Sequence, residues 1–114
     1  MKIKKRKRFC FALDLKKDPV LINGYIEHHK KVWPEILKQI KGTGVESMEI
    51  YHISDRLFMI METNLDFSLS KKQKKDASDP KVQEWETLMS KYQKVLPCAK
   101  PGEKWVLMDQ IFKL

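Results

Sequence analysis

The stretch from Val45 to Thr63 restricts the possible folds more than any other part of the chain. Val45–Ile53 alternates apolar and polar side chains with a period of two, which is the spacing of a strand. Ser54-Asp55 then makes a short turn, and Arg56–Thr63 follows as a second strand, so the pair reads as a β-hairpin. The near-continuous apolar middle of the second strand, Leu57-Phe-Met-Ile-Met61, predicts a strand covered on both faces. A hairpin of this kind needs further strands beside it and a layer above it.

The flanking sequence supplies both. From Arg8 to Leu15, Phe9, Phe11, Leu13 and Leu15 fall on one side and Cys10, Ala12 and Asp14 on the other, giving a first strand. Asp18-Pro19 has the form of a helix start, an N-cap followed by proline in the first turn. Leu21, Tyr25, His29, Val32, Ile36 and Ile40 then recur at helical spacing. Pro34 must either kink this helix or end it and start a second short one near Trp33. Gly42 and Gly44 close the segment. Beyond the hairpin, Asp66 to about Lys94 reads helical, with a break at Asp79-Pro80. Pro97 to Gly102 reads as a loop, and the alternation from Trp105 to Phe112 predicts a fourth strand. The order β-α-β-β-α-β predicts a ferredoxin-like α+β domain, an antiparallel four-stranded sheet with the helices on one face. The other face also carries large apolar groups. It needs a partner subunit, or a sheet curled into a half-barrel around a ligand.

A chain of 114 residues is one domain of this size, and no apolar run approaches the roughly 18 residues of a membrane span. No secretory signal is visible. Cys10 and Cys98 make neither a disulfide framework nor a zinc site, so a reducing cytoplasm is the expected home. The net charge of +8 raises the question of nucleic acid. Residues 2–8 hold six of the 23 basic residues, and without them the net charge is 8 − 6 = +2. The basicity therefore belongs to an arm over residues 1–7 preceding a domain over residues 8–114. Lys71-Lys72-Gln-Lys74-Lys75 reads as a solvated helix face, and no interleaving of basic and aromatic residues favours RNA. Met59, Met61 and Met108 read as core filler.

The chemistry concentrates in Tyr25-Ile-Glu-His-His29-Lys-Lys-Val-Trp33-Pro34-Glu35. Tyr25 and His29 are one helical turn apart and share a face, so they can hold a polar ligand and move a proton near neutral pH. His28 points about 100° away. Trp33 and Trp85 are candidates for an apolar wall of the kind on which sugars stack. His28, His29 and His52 do not form a metal-ligand set, and no phosphate-binding or nucleophile motif occurs.

These residues resemble the L-rhamnose mutarotase family from about Arg8 to Leu114. Tyr25-x-x-x-His29 with Val-Trp33-Pro34-Glu35 is similar to that family's first-helix motif. Glu49-Ile50-Tyr51 with Leu57 to Glu62 resembles its hairpin, Gln83-x-Trp85 with Met89 its second helix, and Ile111-Phe112-Lys-Leu114 its final strand. The resemblance implies a cofactor-free homodimer of the dimeric α/β-barrel type that interconverts the α and β anomers of a 6-deoxy-hexopyranose. It implies that His29 protonates the ring oxygen and that Tyr25 binds a sugar hydroxyl. Two positions depart from the pattern: Met48 stands where the family has a tyrosine, and Trp85-Glu86 where it has Trp-Trp. Met48, Trp85 and Glu86 are thus expected sugar-binding positions, and L-fucose stands beside L-rhamnose as substrate. Glu62, Asp109 or a water are the candidates for the base. The alternative enzyme on this fold is a small dimeric monooxygenase or haem-binding protein.

Overall fold

The computed structural model describes residues 5–114. Residues 1–4 of the basic arm lie outside the described residues. The chain runs β1 (Lys7–Leu15), α1 (Pro19–Lys30), α2 (Pro34–Gly42), β2 (Val45–Ile53) and β3 (Arg56–Thr63). It continues through α3 (Leu69–Ser78), α4 (Pro80–Ser90), β4 (Gln93–Lys94) and β5 (Val106–Leu107). The expected α+β architecture holds, with a fully antiparallel sheet in the order β2-β3-β1-β4 and β5 also pairing with β1. β1 sits in the middle of the sheet, paired with β3 from Lys7 to Asp14.

Local chemistry accounts for most boundaries. The Asp18 carboxylate accepts from the Val20 and Leu21 amides at 2.9 and 3.3 Å, while Pro19 opens α1. Asp79 repeats the device, accepting from Lys81 and Val82 at 2.9 and 3.3 Å with Pro80 opening α4. Pro34 ends one helix and starts another, the second of the two outcomes its position allows. Gly44 adopts φ +101°, and a Cβ there would meet the Asn64 side chain at 3.0 Å, so the turn into β2 requires glycine.

The sheet has one buried face. Phe11, Leu13 and Leu15 alternate with less buried neighbours along β1, as do Leu57, Met59 and Met61 along β3. Leu13 and Leu15 are fully buried, worth roughly 1.5–3 kcal/mol each by area. Two packed clusters form beneath the helices. One gathers Phe11, Val45, Met59, Met61 and Phe67; the other gathers Leu15, Tyr25, Leu57, Met89 and Tyr92.

Four expectations need correction. The helix expected to begin at Asp66 begins at Leu69, capped by Ser68, whose hydroxyl accepts from the Lys71 amide. The helix expected to reach Lys94 stops at Ser90, because Tyr92 turns inward and its carbonyl accepts from the Lys16 amide at 2.9 Å. Sheet pairing of Gln93 with Leu15 overrides a helical spacing that Tyr92 and Val95 continue. The fourth strand expected over Trp105–Phe112 pairs only at Val106–Leu107, with one further bond from the Met108 amide to the Cys10 carbonyl at 2.8 Å. Beyond it Ile111 and Phe112 are 97% and 76% exposed, and Met108, expected in the core, is 46% exposed. The fourth position of the sheet is therefore shared by two short strands on the free edge of β1.

Candidate active site

Between the buried sheet face and the helices lies a cavity of about 1060 Å³. Both core clusters contribute to its walls, through Phe11, Met59 and Met61 on one side and Tyr25 and Met89 on the other. Tyr25, His29, Met48, Trp85 and Glu86, all singled out in the sequence, line this one cavity.

α1 fixes the first two. The ring centroids of Tyr25 and His29 are 4.3 Å apart, tilted by 40°. His29 Nδ1 lies 2.8 Å from the Tyr25 carbonyl oxygen. A carbonyl only accepts, so Nδ1 carries the hydrogen and Nε2 remains for proton exchange. Burial pulls His29 below the usual histidine range, partly offset by that backbone hydrogen bond, with nearby His28 lowering it further. Burial pushes Tyr25 up to about 12, against a side-chain hydrogen bond from Gln93. Tyr25 therefore stays a neutral hydrogen-bonding phenol at any working pH. His28 faces elsewhere, its Nε2 3.0 Å from the Tyr92 hydroxyl, as the 100° offset requires.

Trp85 presents its indole at the cavity wall, edge-on to His29 at 5.6 Å between ring centroids. Trp33 does not line the cavity. It stands behind Trp85, 5.1 Å away and at 73°, and buttresses that indole. Glu86, next along α4, is half-buried, and burial raises its carboxyl above the usual range while Lys104 opposes the shift. Lys104 Nζ donates to the Glu86 carbonyl at 3.0 Å and to the Ser90 hydroxyl, tying the loop before β5 to α4.

Further polar groups in the cavity escaped the sequence reading. Asp76 accepts from Gln39 Nε2 at 2.5 Å and from Lys72 Nζ at 3.1 Å, and all three line the wall. The three come from α2 and α3, which no local spacing connects. Gln93 also lines the cavity, from β4, a strand the helical spacing concealed. Neither carboxylate considered as a base is here. Glu62 pairs with Arg6 and Arg8, and Asp109 lies in the exposed tail. Among the described residues no group of three or more His, Cys, Asp or Glu could hold a metal ion.

The comparisons with known proteins point one way. The model of the L-rhamnose mutarotase family matches residues 8–114. An L-fucose mutarotase of Xanthomonas campestris pv. campestris is 41% identical over 109 residues, 94% of this chain and 87% of the relative. A UPF0734 protein of Dictyostelium discoideum is 36% identical over 112 residues, covering 95% and 90%. The crystal structure of an L-rhamnose mutarotase from Formosa agariphila superposes with a TM-score of 0.71 at 22% identity, covering 95% of this chain and 98% of that one, a likeness of fold. These matches favour a mutarotase over a monooxygenase or a haem-binding protein. The chain belongs to the L-rhamnose mutarotase family.

Proposed function

We propose that the protein interconverts the α and β anomers of a 6-deoxy-L-hexopyranose, with L-fucose as the preferred sugar. The observation that carries the reading is the convergence of Tyr25, His29, Trp85 and Glu86 on one cavity of a chain in this family. The relative at 41% identity named for L-fucose, and the departures at Met48 and Glu86, favour L-fucose over L-rhamnose.

The chemistry needs one proton delivered and one removed. His29 Nε2–H protonates the ring oxygen as the C1–O5 bond breaks. Glu86 takes the proton of the anomeric hydroxyl, because it is the cavity carboxyl that burial holds toward proton uptake. The open aldehyde turns about C1–C2, and closure on the other face returns both protons to their donors. Tyr25 holds a sugar hydroxyl, Trp85 packs against an apolar face of the ring, and Met48 leaves room where a tyrosine would intrude. Each proton transfer is worth roughly 10²–10⁴-fold.

The working unit we assign is a homodimer in a reducing compartment. The sheet face away from the helices, with Phe58 and Ile60 half-buried, and the exposed Ile111 and Phe112 support the first. The free thiols of Cys10 and Cys98 support the second. Polarimetry after dissolving crystalline α-L-fucose or α-L-rhamnose tests the substrate. The reading expects a faster approach to equilibrium with enzyme, more so for L-fucose. Equal spontaneous rates with and without enzyme for both sugars would sink it.

A further inference from the structure

α3 carries a charged pair where a packing helix would carry an apolar stripe. None of its residues is buried, and only Leu69, Lys72 and Asp76 are partly withdrawn from solvent. Lys71, Lys74 and Lys75 form the solvated face that the sequence suggested, but Lys72 does not belong to it. Lys72 and Asp76 stand one helical turn apart, and both line the cavity that holds His29 and Glu86. Their side chains keep 14% and 21% of their exposure, so neither is sealed from a ligand in that cavity.

The pair has hydrogen-bonding capacity to spare. Lys72 Nζ lies 3.1 Å from each carboxylate oxygen of Asp76, and Gln39 Nε2 donates to Asp76 Oδ1. An ammonium offers three N–H donors, and a carboxylate about four acceptor sites. These contacts occupy at most two of the donors and three of the acceptor sites, which leaves an N–H beside a lone pair. A tie between α2 and α3 does not call for charge. Ions withdrawn from water lose hydration, and apolar residues of similar volume often serve as well. The pair also lies within electrostatic reach of Glu86. Burial raises that carboxyl, Asp76 adds to the rise, and Lys104 and Lys72 oppose it.

We propose that Lys72 and Asp76 together bind two neighbouring ring hydroxyls of the sugar. Lys72 Nζ donates to one hydroxyl oxygen, and the Asp76 carboxylate accepts the hydrogen of the next. A donor and an acceptor 3.1 Å apart suit two hydroxyls on adjacent ring carbons. Gln39 positions the carboxylate from α2. The proposal rests on the mutarotase reading and adds to it the groups that recognise hydroxyls other than the anomeric one. A sugar lacking either hydroxyl leaves one charge short of a partner, and a site built for hydrogen bonds rejects such an analogue strongly.

The test crosses enzyme and substrate changes. Wild type, Lys72→Met and Asp76→Asn are assayed for kcat and KM on L-fucose and on its 2-, 3- and 4-deoxy analogues. Wild type should lose roughly 10- to 100-fold in kcat/KM on two analogues altered at adjacent carbons, the effect of losing a hydrogen bond to a charged group. Lys72→Met should lose a similar factor on L-fucose and no longer penalise one of those two analogues. Asp76→Asn should relax the penalty on the other. A role confined to tying α2 to α3 would lower thermal stability and leave the pattern of penalties as it is in wild type, and that result would overturn the proposal. The wild-type profile decides the matter even where a variant fails to fold. Normal acceleration of anomer exchange with no two adjacent analogues penalised would overturn the proposal and leave the mutarotase reading intact. Wild type inactive on both L-fucose and L-rhamnose would overturn that reading, and the proposal with it.

Discussion

His29 owes its character to one neighbour acting twice. The Tyr25 carbonyl fixes its tautomer at 2.8 Å, and the Tyr25 ring shields its face at 4.3 Å. His29→Gln should lower kcat by roughly 10²–10⁴-fold, with a smaller change in KM, in an anomer-exchange assay. A bell-shaped dependence of kcat/KM on pH should accompany the wild type, with its alkaline limb set by loss of the His29 proton. Burial moves that limb below 6.5, so the optimum expected near neutrality shifts to its acid side. A rate still rising to about pH 8 would show that neutral His29, acting as a base, is the working form. Stability follows the same group in the opposite sense. The unfolded chain takes up the His29 proton before the folded one does, so the contribution of its burial is complete above 6.5 and declines as pH falls below it. Thermal unfolding from pH 8 to 5 should show this decline in wild type and less of it in His29→Gln. At this scale the sequence exposed what one helical turn brings together, Tyr25 and His29. It concealed the cluster of Asp76, Gln39 and Lys72, whose members are up to 37 residues apart and meet only through helix packing.

Elements announced themselves where their ends carry their own chemistry. Asp-Pro opens both α1 and α4, and the two boundaries were legible for that reason. Asp79→Ala should cost about 1 kcal/mol in urea unfolding, since it frees the amides of Lys81 and Val82. No change would mean that Pro80 alone sets the start of α4. Gly24→Ala opposes a helix-propensity gain to a clash with the Tyr92 ring at 2.9 Å. Overpacking typically costs about 1–3 kcal/mol and the propensity gain is at most about 1, so net destabilisation is expected. Stabilisation would show that the Tyr92 ring moves freely aside. β4 was illegible because its two residues continue a helical spacing, and only their pairing with β1 makes them a strand. β5 was overread for the converse reason: alternation runs to Phe112, but within one chain the pairing ends at Met108.

The whole molecule leaves an open account at its C-terminus. Ile111, Phe112 and Leu114 are apolar and almost fully exposed, following a strand that leaves its own sheet after Met108. A homodimer that buries this tail should appear at about twice 13.6 kDa in light scattering. Removal of residues 109–114 should shift it toward one copy, whereas an unchanged dimer would assign the contact to the outer sheet face alone. The fold class itself was readable because strand and helix periods alternate in an order that few topologies satisfy. The substrate was not, because two sugars differing only in hydroxyl stereochemistry ask the same residue types of a site. The central claim is that this cavity moves protons between His29 and a sugar ring. Saturation-transfer NMR at anomeric equilibrium measures that directly, with wild type beside His29→Ala on L-fucose and L-rhamnose. The account predicts transfer between the α and β anomeric protons with wild type, stronger for L-fucose, and near-background transfer with His29→Ala. Equal transfer by the two proteins would contradict it.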